Sequence, residues 1–175
     1  MKRVELLLDD PDYSKYMEYN VRRDIMQQNY CSYSFQHHLD VARIAYILIL
    51  EQSKLNYFGK EYALEDKPAA KEMIYAAGLL HDVGIWKQYE EGVDHAAFSA
   101  KLARDILSRS LFNLHEIDLI CQAIYEHENI SNEMSFLGEI LYRADNLSRV
   151  CVKCEHYFSC SKRMHEELAV SSFEY

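Results

Sequence analysis

With 175 residues, a formal net charge of −9 and a pI near 5.3, the chain is long enough for one domain that buries roughly two-thirds of its unfolded surface. It is too acidic for a duplex nucleic-acid partner, which needs clustered Lys and Arg. No stretch approaches the roughly 20 uncharged apolar residues that span a bilayer, and the opening segment meets Asp9 and Asp10 too soon for a secretory core, so neither a membrane nor export is expected.

Five Gly, two Pro and few β-branched runs predict helices joined by short connections. Apolar residues at helical spacing predict a first amphipathic helix over residues 13–28 (Tyr16, Met17, Val21, Ile25), after a turn-like Asp9-Asp10-Pro11-Asp12. A second runs over 34–53, where Ala42, Ala45, Tyr46, Leu48 and Ile49 make a nearly continuous apolar surface. The polar, mixed segment 55–67 contains Gly59 and reads as a connection. Helices resume over 68–81, with Pro68 suited to a first turn, then over 94–109, 114–128 and 133–149. Ser131 or Asn132 is the expected N-cap of the last, and 56–67 and 86–94 are the loops in which specificity would lie. After Ser148 the text becomes Cys-Val-Lys-Cys-Glu-His-Tyr-Phe-Ser-Cys. This divides the chain into a main domain, 1–149, and a Cys-containing tail, 150–175, packed on it.

The five cysteines, Cys31, Cys121, Cys151, Cys154 and Cys160, are an odd number and argue for reduced thiols in the cytoplasm rather than a disulfide framework. Cys151-x2-Cys154 is nevertheless a chelating spacing, with Cys160 a third thiolate and His156 or His165 a fourth donor. It would suit a structural Zn or an iron–sulfur cluster, against the simpler reading of thiols packing a small tail.

Several polar residues fall on apolar helical stripes. His37 is in line with Val41, Ile44 and Leu48; His81 stacks over Ile74 and Ala77; His95 shares a face with Phe98, Ser99, Leu102 and Ile106. His127 continues Ile117, Ile120, Cys121 and Ile124, and Asp145 continues Met134, Leu137 and Leu141. One such imidazole is usually a satisfied core residue; five coincidences are not. Buried ionised carboxylates cost at least several kcal/mol each, so Asp82 and Asp145 need partners. Convergence on a cation satisfies all of these groups together, and imidazole nitrogen with carboxylate oxygen suits Zn, Fe, Mn or Ni better than Ca or Mg.

The strings His37-His38-Leu39-Asp40-Val41-Ala42, Ala76-Ala77-Gly78-Leu79-Leu80-His81-Asp82-Val83-Gly84 and Leu141-Tyr142-Arg143-Ala144-Asp145-Asn146-Leu147 resemble, in order, the three signatures of the HD superfamily of metal-dependent phosphohydrolases. The resemblance covers about Phe35 to Arg149. It implies an all-α HD-domain bundle of about six to eight helices, in which His37, His81, Asp82 and Asp145 bind a divalent metal. The first ligand is His37 or His38; the family's spacing to Val41-Ala42 favours His37. Asp94-His95-Ala96-Ala97-Phe98-Ser99-Ala100 and Ile124-Tyr125-Glu126-His127-Glu128 resemble the extra histidine segments of the branch that holds two metals. There Asp82 would bridge the ions while His95 and His127 complete the second set. Glu128 stands where some relatives carry another His, either as a ligand through water or as a solvated carboxylate.

The implied activity is hydrolysis of a phosphoester or phosphoanhydride of a small metabolite, with nucleotides the leading class. A bound cation lowers the pKa of its water to about 7, and Asp82, His127 and Glu128 are candidates for moving the proton. Many relatives follow His-Asp with a Lys two residues beyond Val, whereas this chain reads Val83-Gly84-Ile85-Trp86-Lys87. The phosphate-facing cation is then Lys87, Arg149, Arg143 or Lys101. Trp86 either stacks on a base or sugar or, by the commoner role, packs. Two rival readings are a mixed-valent di-iron oxygenase on the same fold and a non-catalytic sensor of nucleotide or metal. A homodimer is compatible with all three.

Overall fold

Helix is the only regular secondary structure among the residues that the computed structural model describes, which are 1–27, 33–64 and 66–149 with Cys151, Cys154 and Phe158. In chain order the helices are α1 (Lys2–Leu8), α2 (Pro11–Gln27), α3 (Phe35–Glu51), α4 (Leu55–Glu61), α5 (Lys67–Leu80), α6 (Ile85–Glu91), α7 (His95–Arg109), α8 (Leu114–Glu126) and α9 (Phe136–Ser148). The six long ones are those that periodicity predicts. The three of seven residues each among the described residues, α1, α4 and α6, are additions to the expected all-α bundle, which the structure bears out.

Each correction has a local cause. α4 replaces the expected connection because Phe58 is fully buried against the core and its ring meets that of Tyr62 at a tilt (4.6 Å between centroids), which offsets Gly59. α6 occupies most of the expected loop at 86–94 and ends on left-handed Gly92 (φ 69°), a conformation that costs Gly little. The turn-like Asp10-Pro11 is itself the start of α2: the Asp10 carboxylate accepts from the N–H groups of Asp12 (2.9 Å) and Tyr13 (3.4 Å). α9 is capped by Ser135, not by Ser131 or Asn132. The Ser135 hydroxyl accepts from the Gly138 N–H (3.0 Å) while its own N–H and O–H are taken by Glu126 Oε2. Asp66 caps α5 through the Ala69 N–H (2.8 Å), with Pro68 in the first turn as expected.

α3 packs between α5 and α9, α8 lies against α5, α7 and α9, and α1 bridges α5 and α7. The α3–α5 approach depends on small residues: a Cβ on Gly78 would lie 2.5 Å from the Ala42 Cα. One continuous apolar core, including Ile49, Met73, Leu80, Ile106, Ile120 and Leu141, joins the helices. Full burial of each such side chain contributes about 1.5–3 kcal/mol. Among the described residues no helix is long and apolar enough to cross a membrane.

Candidate metal centre

α5 and α8 end in the same way. Each terminates on a histidine, His81 and His127, whose ring folds back so that Nδ1 meets the carbonyl three residues earlier: Gly78 O at 2.8 Å and Ile124 O at 2.6 Å. These are carbonyls that a helix C-terminus otherwise leaves unpaired. A carbonyl only accepts, so Nδ1 carries the proton and, in the neutral ring, Nε2 presents a lone pair.

The other two imidazoles are fixed at helix N-termini. His37, in the first turn of α3, has Nδ1 3.2 Å from Ser148 Oγ, and that hydroxyl donates to the Asp145 carbonyl (2.7 Å). Its proton being committed, Ser148 accepts from His37. His95 opens α7, and its Nδ1 is 2.5 Å from Gln88 Oε1. All four Nε2 atoms thus turn inward.

They converge on two carboxylates. Asp82 Oδ2 is 3.4 Å from His81 Nε2 and 3.9 Å from His37 Nε2, while Asp145 Oδ1 is 3.4 Å from His37 Nε2 and 3.8 Å from His81 Nε2. The other Asp82 oxygen, Oδ1, is 3.1 Å from His95 Nε2 and 3.5 Å from His127 Nε2. Glu128 Oε1, at the exposed rim, lies 3.7 Å from His95 Nε2. Two groups result, each able to close on an ion: His37, His81 and Asp82, with Asp145 beside them, and Asp82, His95 and His127. Asp82 belongs to both. The six residues named from sequence are therefore brought together.

The electrostatics of the pocket call for added positive charge. Nε2 of His37, His81 and His127 and Oδ1 of Asp82 and Asp145 are buried with no hydrogen-bond partner. Burial would lower the pKa of His81, but Asp82 and Asp145 outweigh it and hold the imidazole up at about 10. Burial would likewise raise both carboxyl groups; His81 and its neighbours keep Asp82 well below the usual range, and His81 with Arg149 does the same for Asp145. Inward acceptors in a buried pocket need positive charge between them, whether a proton on His81 or a cation, and this nitrogen–oxygen donor set fits a divalent transition metal.

His38 differs from its neighbour. Its Nδ1 bonds the Leu79 carbonyl (2.8 Å), and burial, with the nearby His81 and His37 rings, pushes its pKa down to about 3. It is a neutral imidazole packed behind the site, 5.1 Å from the His81 ring.

The cations proposed for phosphate have other contacts. Lys87 Nζ pairs with Glu91 and lies 5.1 Å from the Trp86 ring centre, and Arg149 pairs with Asp145 Oδ2. Trp86 packs edge-on against Tyr19 (4.9 Å) and Phe98 (5.9 Å). Of the tail, Cys151 is buried and Cys154 half-buried, both as free thiols, with the Cys154 N–H donating to the Cys151 carbonyl (3.0 Å). Cys160, His156 and His165, like Cys31, lie outside the described residues.

Four residues of the site have no motif to announce them: Gln88 and Ser148, which orient imidazoles, Asn20 beneath Asp82, and Tyr33. The Tyr33 ring meets His37 edge-on (5.9 Å), its N–H donates to Asp24 Oδ2 (2.7 Å), and burial pushes its phenol pKa up.

The chain is 34% identical over 161 residues, 92% of each chain, to an uncharacterized protein of Clostridium beijerinckii. It is 33% identical over 88 residues to proteins named Ribonuclease Y from Lactobacillus gasseri and Lactobacillus johnsonii, a match covering 50% of this chain and 14% of each of those. No solved structure matches. The family model described as "HD domain" matches residues 34–150, a span that includes all six converging side chains, and the chain belongs to this family of metal-dependent phosphohydrolases.

Proposed function

We propose that the chain is a phosphohydrolase working with two divalent cations on a phosphoester or phosphoanhydride of a small metabolite, with nucleotides the leading class. The supporting observation is the inward set of lone pairs shared about Asp82, whose two oxygens face two different histidine pairs. His37, His81, Asp82 Oδ2 and Asp145 Oδ1 would hold one ion; Asp82 Oδ1, His95 and His127 the other, with Glu128 beside it. Iron, manganese, zinc and nickel suit these donors. When bound, such ions polarise a phosphoryl oxygen and acidify water.

The protein's own groups then divide the remaining work. Both Asp82 oxygens and the His127 Nε2 are committed to the cluster, so neither residue is well placed to take a proton as well. Glu128 Oε1, at the rim and near His95, is the proton acceptor this geometry favours. Arg149, held on Asp145 Oδ2, is the cation that touches a candidate ligand and would meet the phosphate; Lys87 is directed to Glu91. The ribonuclease name of two relatives fits phosphodiester chemistry, while the net charge of −9 disfavours a long polyanion and supports a small substrate.

The test is metal analysis of freshly purified protein coupled to a nucleotide hydrolysis screen, with Asp82→Ala as control. The expectation is two transition-metal ions per chain and metal-dependent phosphate release that the substitution abolishes. Full hydrolysis by the variant would overturn the proposal.

A further inference from the structure

α2 lies outside the family-matched segment, and its buried stripe is Tyr13, Met17 and Asn20. The asparagine is 1% exposed. A carboxamide so placed costs free energy unless both of its ends are bonded, and here both are. Nδ2 donates to the Asp82 carbonyl (3.0 Å), and Oδ1 accepts from the Trp86 N–H (3.2 Å). Both partners are backbone groups of fixed role, so the amide has only one orientation.

The two bonds fall where the local chain cannot supply them. α6 begins after Gly84, which has no side chain to cap it. The Trp86 N–H is one of the unpaired donors of that helix start, and Asn20 satisfies it from another helix. The Asp82 carbonyl belongs to the tight turn between α5 and α6 and also accepts from the Ile85 N–H (3.1 Å). The turn's far side is pinned by the Gly84 N–H donating to Ser99 Oγ (2.9 Å).

What the clamp holds is the shared carboxylate and, through α6, the partner of a histidine, since Gln88 on α6 meets His95 Nδ1. The α2–α6 seam is reinforced by Arg23–Glu90 (2.8 Å) and by the Tyr19–Trp86 ring contact. We infer that Asn20 is a positioning residue of the metal centre: its carboxamide fixes the His81–Asp82 turn relative to α6, so that each Asp82 oxygen faces its own pair of histidines. This rests on the metal site proposed above. It places part of the site's precision in an N-terminal helix that the family pattern does not include.

The test uses Co2+ as the probe and titrates the full chain, stripped of metal, by calorimetry and visible absorption. Asn20→Leu removes both bonds, and Asn20→Ser leaves a hydroxyl too short to span them but polar enough for water to satisfy the cavity. The control is Arg109→Gln, which loosens the Asp10–Asp12 cluster remote from the site. Residues that orient metal ligands change affinity by roughly 10–100-fold. The expectation is such a loss in both Asn20 variants, with a shifted Co2+ d–d band, and neither change in the control even where its Tm falls as far. Folded Asn20→Ser with the parent's affinity and spectrum would overturn the inference alone. A parent protein that bound no Co2+ would remove the proposed site, and this inference with it.

Discussion

Two clusters of buried charge sit at opposite ends of the same two helices. Near the start of α5 and α8, Arg3 donates through Nε to Glu72 (2.6 Å) and through Nη1 to both Glu116 oxygens (2.8 Å), with its guanidinium over the Phe112 ring. At the far ends of those helices, roughly 14–17 Å along their axes at 1.5 Å per residue, stand His81 and His127 with Asp82. In the first cluster each carboxylate meets a proton; Glu116 also accepts from the Asn113 N–H and closes a capping box. In the second, Nε2 of His37, His81 and His127 and Oδ1 of Asp82 and Asp145 are buried with no hydrogen-bond partner. The difference separates a self-contained structural ion cluster from a site built for something the chain does not itself provide.

The strongest way to break that contrast is at the shared carboxylate. Asp82→Ala should abolish binding of both ions and hydrolysis with them, while the metal-free protein loses the attraction between this carboxylate and the His81 imidazolium, a smaller cost than that of breaking the Arg3 cluster. Metal stoichiometry and a metal-free thermal melt measure the two halves; a large drop in metal-free Tm would show that Asp82 is structural. Arg3→Ala should do the converse. It strands the buried Glu116 and the half-buried Glu72 and should cost about 3 kcal/mol, visible in urea unfolding, with the metal content of the folded fraction unchanged.

A finer cut separates the adjacent histidines. His37→Ala should lose one of the two ions, whereas His38→Leu should keep both, since it is the His37 Nε2 that lies 3.4 Å from Asp145 and 3.9 Å from Asp82 and His37 that groups with His81 and Asp82. Retained stoichiometry in the first variant and loss in the second would reverse the assignment. Ser148→Ala leaves the His37 Nδ1–H without its acceptor and should weaken metal binding by roughly 10–100-fold, a calorimetric measurement that leaves every ligand in place.

How far the sequence disclosed all this follows the same division. The six long helices are legible because their apolar residues recur at 3.6 spacing, and five of the six converging residues because titratable groups on apolar stripes are expensive to explain otherwise, with Asp82 following from its place beside His81. α1, α4 and α6 are too short for periodicity to register, and their reasons for being helical are tertiary: Val4 and Leu7 buried on α5 and α7, Phe58 in the core, Ile85 under the turn. Asn20, Gln88 and Ser148 escape for a related reason. Each is an ordinary polar residue whose partner lies elsewhere in the fold, so only folding reveals what it holds. The choice of His37 over His38 is intermediate, because both lie in the first turn of α3 and only the direction of each ring distinguishes them.

The smallest expected effect tests whether a surface pair behaves as the structural kind. Asp10 is buried and bonded to Arg109 (2.7 and 2.9 Å) while its oxygens also cap α2, whereas Arg109 is nearly half exposed. The guanidinium outweighs burial and holds the Asp10 pKa below its ordinary value of 3.8. A depressed carboxyl pKa contributes stability that is present above the unfolded value and is lost as pH falls through the folded one. Asp10→Asn keeps the cap and removes the charge, so it should cost about 1 kcal/mol at neutral pH, discounted for the exposure of Arg109. That difference from the parent should hold from pH 7 to 5 and shrink below about pH 4. Urea unfolding of both proteins at pH 7, 5 and 3 measures it. A gap that persisted undiminished at pH 3 would mean that Asp10 acts through shape and hydrogen bonding rather than charge, unlike the carboxylates that meet Arg3.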